Sequence, residues 1–333
     1  MTVDILLGVD GGKSKTVCLV AERSGHIIGW GRSGNSDKYY LPFEQALDSI
    51  AVCTHQALGM AGVYPSQVAG CFGLAGADWP EDFEQLQAGL ERLSLVQCLV
   101  VKNDATIVLR ANAPEGFGVV ISAGTHLASA IRTPQGDEWH SAWFSVEGAG
   151  GITIGHKVLW AVLTAEDGRG RPTVLTQLVL QTKGLAQPLD LLRLLSQGAI
   201  DDRFKASLAP LLFMAHHRYC DPVATALLLE VAQDMSRWPL ALLERYQLLQ
   251  TPLPVILAGG LFKGEGKFLI EALTAFIHAR APLAQVRLAQ HEPVVGALLA
   301  ACDLLGQPVT QDLLNSLAAS MPPAEFFNTQ KEE

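Results

Sequence analysis

Near the N-terminus, Gly8-Val9-Asp10-Gly11-Gly12-Lys13-Ser14-Lys15-Thr16 lies between two apolar runs and carries residue types suited to gripping an anion. Glycine lets the backbone bend back and present its N–H groups with no Cβ in the way, and Ser14 and Thr16 add hydroxyls. Asp10, at a strand end beside that loop, is placed to hold Mg²⁺ through water, since magnesium commonly takes one or two carboxylates together with substrate phosphates. The same spacing also suits a plain hairpin turn with a Gly-Gly tip. It is not a Walker A loop, which needs GxxxxGK[ST] and a following helix.

Asn103-Asp104 ends the strand-like CLVV and opens the helix-like ATIVLRAN. A carboxylate at such a junction sits where ligands bind in open α/β sheets, outside the carboxyl ends of the strands, and could act as a general base on a hydroxyl. Either residue could equally cap the helix, and the two roles are compatible. The stretch Gly118 to Thr125, GVVISAGT, repeats the logic of the first loop: a strand runs into a turn of small residues. In Val255 to Phe262, VILAGGLF, a strand runs into Gly259-Gly260, which suits close backbone approach to a flat ring or a phosphate, or an ordinary strand-to-helix turn.

The elements that must position these residues follow from hydrophobic spacing. Asp4 to Val20 reads as two strands around the glycine turn, and His26 to Gly31 as a third. A helix over Leu41 to Gly62 comes next, then a strand at Val68 to Leu74, a helix at Pro80 to Leu93, a strand at Gln97 to Val101 and a helix from Asn103. That β-β-β-α-β-α-β-α order makes one α/β lobe with a mixed sheet. After Ala113-Pro114-Glu115-Gly116 the pattern restarts, which suggests a duplicated lobe. Leu-rich stripes make Thr153 to Leu249 mostly helical. The chain then returns to a strand, a helix through Leu269 to Ala279, a strand near Gln285 to Leu288 and a terminal helical region. Two lobes are expected, 1–112 and 113–333, the last helix packing back on the first, because 333 residues exceed what one core usually spans.

With 49% hydrophobic and 17% charged residues the chain should fold compactly. Its net charge of −9 and lack of a basic run speak against a nucleic-acid partner. No stretch reaches the roughly 20 apolar residues of a membrane helix. The opening MTVDILLGVD lacks a basic region ahead of an apolar one, so a cytoplasmic protein without a cleaved signal is expected. Six scattered cysteines with no CxxC pair read as core thiols, not as a zinc or iron–sulfur site. His126, His140 and His156 flank the loops but match no metal-ligand spacing. Trp139 and Trp143 could wall a sugar ring or fill a core.

Taken in order, GVDGGKSKT, KNDATIV, GVVISAGT, VILAGGLF and HEPVVGALLAA resemble the BadF/BadG/BcrA/BcrD ATPase family, whose sugar-phosphorylating members are N-acetylglucosamine kinases; the resemblance covers nearly the whole chain. It implies the two-lobed, actin-like (ribonuclease H-like) fold with duplicated domains and an interlobe cleft, using ATP and Mg²⁺. By position it implies Asp10 as the magnesium carboxylate and Gly11, Gly12, Lys13, Ser14 and Thr16 as the first phosphate loop. Ser122, Gly124 and Thr125 would form the second, and Gly259 and Gly260 would border adenosine. Asp104 matches the catalytic base, which would take the proton from the sugar hydroxyl. Asn35, Gly76, Asn103 and Glu147 would face the sugar, and family habit suggests a homodimer. Two departures stand out. Ser122-Ala123-Gly124-Thr125-His126 replaces the family's SGTGS, and Val146 stands where GDEGSG has a sugar-binding aspartate, with Glu147 one residue on. The expected activity is ATP-dependent phosphorylation of an amino sugar. A non-catalytic sugar or nucleotide sensor, or an ATPase that activates a partner protein, are the alternatives.

Overall fold

The computed structural model describes residues 3–145 and 150–328. It begins with β1 (Ile5–Gly11), β2 (Thr16–Glu22), β3 (Ile27–Ser33), α1 (Phe43–Ala61), β4 (Val68–Leu74), α2 (Pro80–Leu93), β5 (Cys98–Asn103) and α3 (Asp104–Asn112). The second half contributes β6 (Gly118–Ala123), β7 (Leu127–Arg132), β8 (Glu138–His140), then five helices, α4 (Gly151–Glu166), α5 (Leu175–Lys183), α6 (Pro188–Ser196), α7 (Asp202–Tyr219) and α8 (Pro222–Arg245). It closes with β9 (Pro254–Ala258), α9 (Lys267–His278), β10 (Gln285–Leu288), α10 (Pro293–Leu304) and α11 (Gln311–Ser320). Among the described residues no helix is long and apolar enough to cross a membrane.

The first sheet has five strands in the order β3-β2-β1-β4-β5. The β1–β2 and β2–β3 pairs are antiparallel, whereas β1–β4 and β4–β5 are parallel. Every residue of β4 is buried, as expected of a strand covered on both faces, and this is why VAGCFGL reads as a continuous run with no polar alternation. Alternate residues feed two cores. Leu7, Val9, Cys18, Val20, Phe72 and Leu74 meet α1 and α2. Leu6, Val17, Leu19, Ala21 and Cys71 meet α10 and α11. The second sheet also has five strands, ordered β10-β9-β6-β7-β8. Read in reverse, each strand takes the place of its counterpart in the first sheet, so the duplication expected from the restarted pattern is present in the topology.

By contacts the chain divides into two units. The first comprises Met1–Gly118, Ala130–Ala142 and Ala289–Glu333, so α10 and α11 belong with the N-terminal sheet. The second comprises Val119–Ser129 and Trp143–Leu288. Four of the six cysteines are buried as expected, but Cys98 is only partly covered and Cys220 is exposed, because it ends α7 at φ 52° and turns outward.

α10 lies close to β1 and α3 because glycine stands at both contacts. A Cβ on Gly8 would sit 2.5 Å from the amide nitrogen of Leu298, and one on Gly296 only 1.8 Å from the carbonyl oxygen of Ile107. Neither neighbour is a flexible side-chain tip; both are backbone. Gly296→Ala is therefore expected to force α10 and α3 apart and to destabilise the protein by about 3 kcal/mol, measured by urea denaturation. A loss below about 0.5 kcal/mol would show that the two helices are not tightly seated.

Candidate active site

Three strand ends in the first unit converge on a group of carboxylates. Asp10 is the penultimate residue of β1, paired with Val17 of β2 and with Gly73 of β4. Among the described residues no side-chain hydrogen bond or ion pair holds its carboxylate. Burial is the main reason its pKa rises to about 7; repulsion from Asp104 and Glu292 adds to the rise, and Lys15 opposes it. Asp104 opens α3 directly after β5, and its pKa is also raised, again chiefly by burial, with Asp37 adding and the Ala105 amide opposing. Asp10 and Asp104 therefore lie within electrostatic reach of one another, the condition for serving one ligand.

The start of α3 is held by Asn103, whose Oδ1 accepts from the Ala105 amide at 3.0 Å. Asp104 Oδ1 accepts from the same amide at 2.8 Å. The two readings of this pair in the sequence thus divide between the residues: Asn103 caps, and Asp104 offers a carboxylate. Asn103 Nδ2 reaches the other way, donating to the Ala77 carbonyl and to Asp78 Oδ1, both at 3.1 Å. Asp78 was not singled out from the sequence. Its pKa rises to about 7, through burial first and then through Asp104, Asp82 and Asp37, with Lys38 opposing. Its position just beyond β4, in a parallel pair with β1, was the signal available.

The loop after β3 closes the group. Asn35 Oδ1 accepts from the Asp37 amide at 2.8 Å, and Asp37 Oδ1 from the Tyr39 amide at 2.9 Å. Gly76 lies against this loop, since a Cβ there would meet Lys38 Cγ at 3.0 Å and Asp37 Oδ1 at 3.3 Å. Lys38 Nζ is committed to Asp82 at 2.5 Å, and Tyr39 donates its hydroxyl to the same carboxylate at 2.8 Å. Asn35, Gly76, Asn103 and Asp104 thus belong to one neighbourhood, with Asp37 and Asp78 added to it by the structure.

The first glycine loop is the β1–β2 hairpin. Gly12 N–H donates to the Lys15 carbonyl at 3.0 Å, and the Ser36 amide donates to the Gly12 carbonyl at 3.1 Å. Gly11 is closely packed: a Cβ would fall 2.6 Å from both Leu74 Cδ2 and Ser36 Oγ, so those side chains would have to shift. Lys13 and Ser14 are exposed at the tip, with Lys13 Nζ 3.6 Å from the centre of the Tyr40 ring. Thr16 is fully buried, and its hydroxyl donates to the Gly34 carbonyl at 2.8 Å, which ties the hairpin to the Asn35 loop. Lys15 donates to the Phe327 carbonyl.

In the second unit, β6 and β9 are parallel neighbours, with Ser122 beside Ala258. Their following turns touch. Gly259 adopts φ 101°, where L side chains are strained, and a Cβ there would lie 2.3 Å from the Ala123 carbonyl oxygen. Gly124 and Thr125 are exposed, and their carbonyls accept from the Gly151 and Ile152 amides at 2.8 and 3.1 Å, which seats the N-terminus of α4 against the turn. A cavity of about 180 Å³ is lined by Pro210 and Phe213 of α7 and by Gly260, Leu261, Lys263 and Glu265. Ser122, Gly124, Thr125, Gly259 and Gly260 therefore gather in one unit, and Pro210 and Phe213 are additions that helical periodicity alone could not single out. Glu147, and Val146 before it, lie outside the described residues, and so does the side chain of Trp143.

The fit to magnesium can be judged from the chain itself. Among the described residues no three His, Cys, Asp or Glu side chains cluster as a protein-only metal site. A magnesium ion that keeps its waters and bridges phosphates needs one or two carboxylates, and the unpaired Asp10, repelled by Asp104, meets that requirement.

The model of the BadF/BadG/BcrA/BcrD ATPase family matches residues 7–301. N-acetyl-D-glucosamine kinase of Dictyostelium discoideum is 24% identical over 328 residues, 90% of this chain and 98% of the relative. A solved candidate N-acetylglucosamine kinase from Chromobacterium violaceum superposes with a TM-score of 0.65 at 23% identity, covering 90% of this chain and 99% of that one. A glucokinase of the ROK family from Streptomyces griseus, solved with glucose and AMPPNP, gives a TM-score of 0.55 at 18% identity, over 90% and 98% of the two chains. The two solved structures show that the chain shares their fold.

Proposed function

Because the chain belongs to the BadF/BadG/BcrA/BcrD ATPase family, we propose that it is a sugar kinase that transfers the γ-phosphoryl group of ATP to a hydroxyl of an amino sugar, N-acetylglucosamine, glucosamine or a close relative. The observation that carries this reading is the pair of raised carboxylates, Asp10 and Asp104, at the ends of strands that also bear the glycine hairpin and the Asn35 loop. Phosphoryl transfer asks a protein for positioning, charge neutralisation and an oriented hydroxyl, with little covalent chemistry. A site made of backbone amides and carboxylates supplies those three.

In this reading Asp104 accepts the proton of the sugar hydroxyl as its oxygen bonds to the γ-phosphorus. The bond from that phosphorus to the bridging oxygen breaks, and ADP departs with the electron pair. Burial raises the proton affinity of Asp104, and Asn103 fixes its backbone at the head of α3. Asp10 would hold Mg²⁺, which supplies positive charge to the phosphates. The hairpin of Gly11, Gly12, Lys13 and Ser14 is assigned to phosphate binding, with the Gly12 amide holding the turn through the Lys15 carbonyl and buried Thr16 shaping it. Ser122, Gly124 and Thr125, in the second unit, are assigned to nucleotide binding. The cavity beside Gly260, with Gly259 at its approach, takes the adenine ring against Pro210 and Phe213. Asn35 and Gly76 are assigned to the sugar; Asn103, buried with its amide engaged by Ala105, Ala77 and Asp78, holds Asp104 and Asp78 beside it and does not itself meet the sugar, and Glu147 is assigned there in place of the family's aspartate.

A coupled assay for ADP release, run with Mg-ATP over a panel of hexoses and hexosamines, tests the reading. An amino sugar is expected to give the highest kcat/KM, by about tenfold or more over glucose, because a site built around hydrogen bonds to substrate groups discriminates strongly by them. Equal rates with all sugars, or ADP release indifferent to any sugar, would refute it.

A further inference from the structure

Away from the carboxylates of the candidate active site, the first unit carries a half-open pocket of about 210 Å³, well above the roughly 10–15 Å³ that one water requires. None of the residues assigned to ATP or sugar lines it. Its apolar wall is made by Val100 of β5, Ile107 and Leu109 of α3, and Ala300 and Leu304 of α10. Its polar wall is a chain of five charges. Lys102 Nζ lies 2.6 Å from Glu138, and Arg132 Nε 3.5 Å from the same carboxylate. Arg132 also reaches Asp303 at 3.0 Å, and Arg110 grips Asp303 in a two-pronged contact of 2.9 and 3.1 Å. Burial works to raise the pKa of Asp303, yet hydrogen bonds and charge from Arg110 and Arg132 carry it below its ordinary value, so it stays an anion.

Three cations thus face two carboxylates, which leaves one positive charge in excess against an apolar wall. Each cation is paired, but the net positive charge of the wall beside an apolar face favours an anionic occupant, and a guanidinium matches a carboxylate in shape. Because the existing carboxylates already satisfy two of the three charges, the complement is a single negative charge, not a phosphate dianion. The apolar residues opposite call for a hydrocarbon body. We propose that this cavity is a second ligand site, which takes a small organic monoanion with an apolar body, of the aryl or short alkyl carboxylate class. Its wall includes β5 and α3, the elements that also carry Asn103 and Asp104, so an occupant rests on the backbone that seats them.

The proposal does not depend on the kinase reading and is tested without nucleotide or sugar. Sodium benzoate, hexanoate and neutral benzamide would be titrated into the full chain, with binding read by calorimetry and by amide chemical shifts. Benzoate or hexanoate is expected to saturate, with benzamide weaker by about tenfold or more, since the charge is part of the fit. Leu304→Trp, which fills the cavity from its mouth and leaves all five charges in place, should weaken benzoate by about tenfold or more. Arg132→Gln should do the same by removing the excess charge, and Leu304→Trp keeps the test decisive if that variant fails to fold. Absence of saturable binding by either carboxylate, equal binding of benzamide, or benzoate binding unchanged in Leu304→Trp would overturn the proposal.

Discussion

Asp104→Asn is expected to lower kcat for the best sugar by about 10² to 10⁴, the range that a positioned general base contributes, while the KM values for sugar and ATP stay within a few-fold. The substitution is conservative for the fold. Asn103 already supplies the helix cap, and an asparagine at 104 keeps an oxygen able to accept from the Ala105 amide. The thermal midpoint should therefore change little, which separates loss of chemistry from loss of structure. What is removed is the ability to hold a proton in the transition state. A variant that turned over at the wild-type rate would show that the hydroxyl proton goes elsewhere, with Asp78 the next carboxylate to test because it lies close enough to Asp104 for the two to repel.

Asp10→Asn should be nearly as damaging to catalysis and should leave a distinct mark on stability. Loss of the carboxylate assigned to magnesium is expected to reduce kcat by about 10² or more and to raise the Mg²⁺ concentration needed for half-maximal rate. In Mg²⁺-free, nucleotide-free buffer the same variant reports on the buried charge. The Asp10 pKa rises from 3.8 to about 7 in the folded chain. Between those values the native state keeps a proton that the unfolded state releases, so stability falls as pH rises across that window, and the full contribution is present only below 3.8. Asp78, also raised to about 7, adds to the same slope. Thermal denaturation at pH 4.5, 6 and 8 should therefore show the wild type losing stability, with a shallower loss in Asp10→Asn. A slope unchanged by the substitution would mean that Asp10 ionises normally in the folded protein.

Much of the local structure was legible because local rules produce it. Pro80 at the first turn of α2 and Asn103 at the cap of α3 mark helix starts, and the strand Val68–Leu74 is continuous and apolar because both of its faces are covered. Asp10 and Asp104 could be picked out because a carboxylate at a strand end is a position with a physical meaning. Asp78 carries no local anomaly within GLAGAD. Its importance comes from the parallel pairing of β4 between β1 and β5, which brings its loop to Asn103. The hydroxyl of Thr16 suits a ligand by sequence, yet its side chain turns inward to Gly34, a contact that exists only once β2 and β3 pair.

The sequence by itself determined the order of strands and helices, the repeated α/β plan and the residue types at the glycine turns, because these depend on periodicity, capping and the steric freedom of neighbouring residues. The tertiary structure alone decided which strand ends meet, which carboxylates are crowded together, and that α10 returns from the end of the chain to close against Gly8 and Ile107. The physical reason is that proton affinity and close packing depend on atoms brought together across hundreds of residues of chain, and no window of sequence contains both partners.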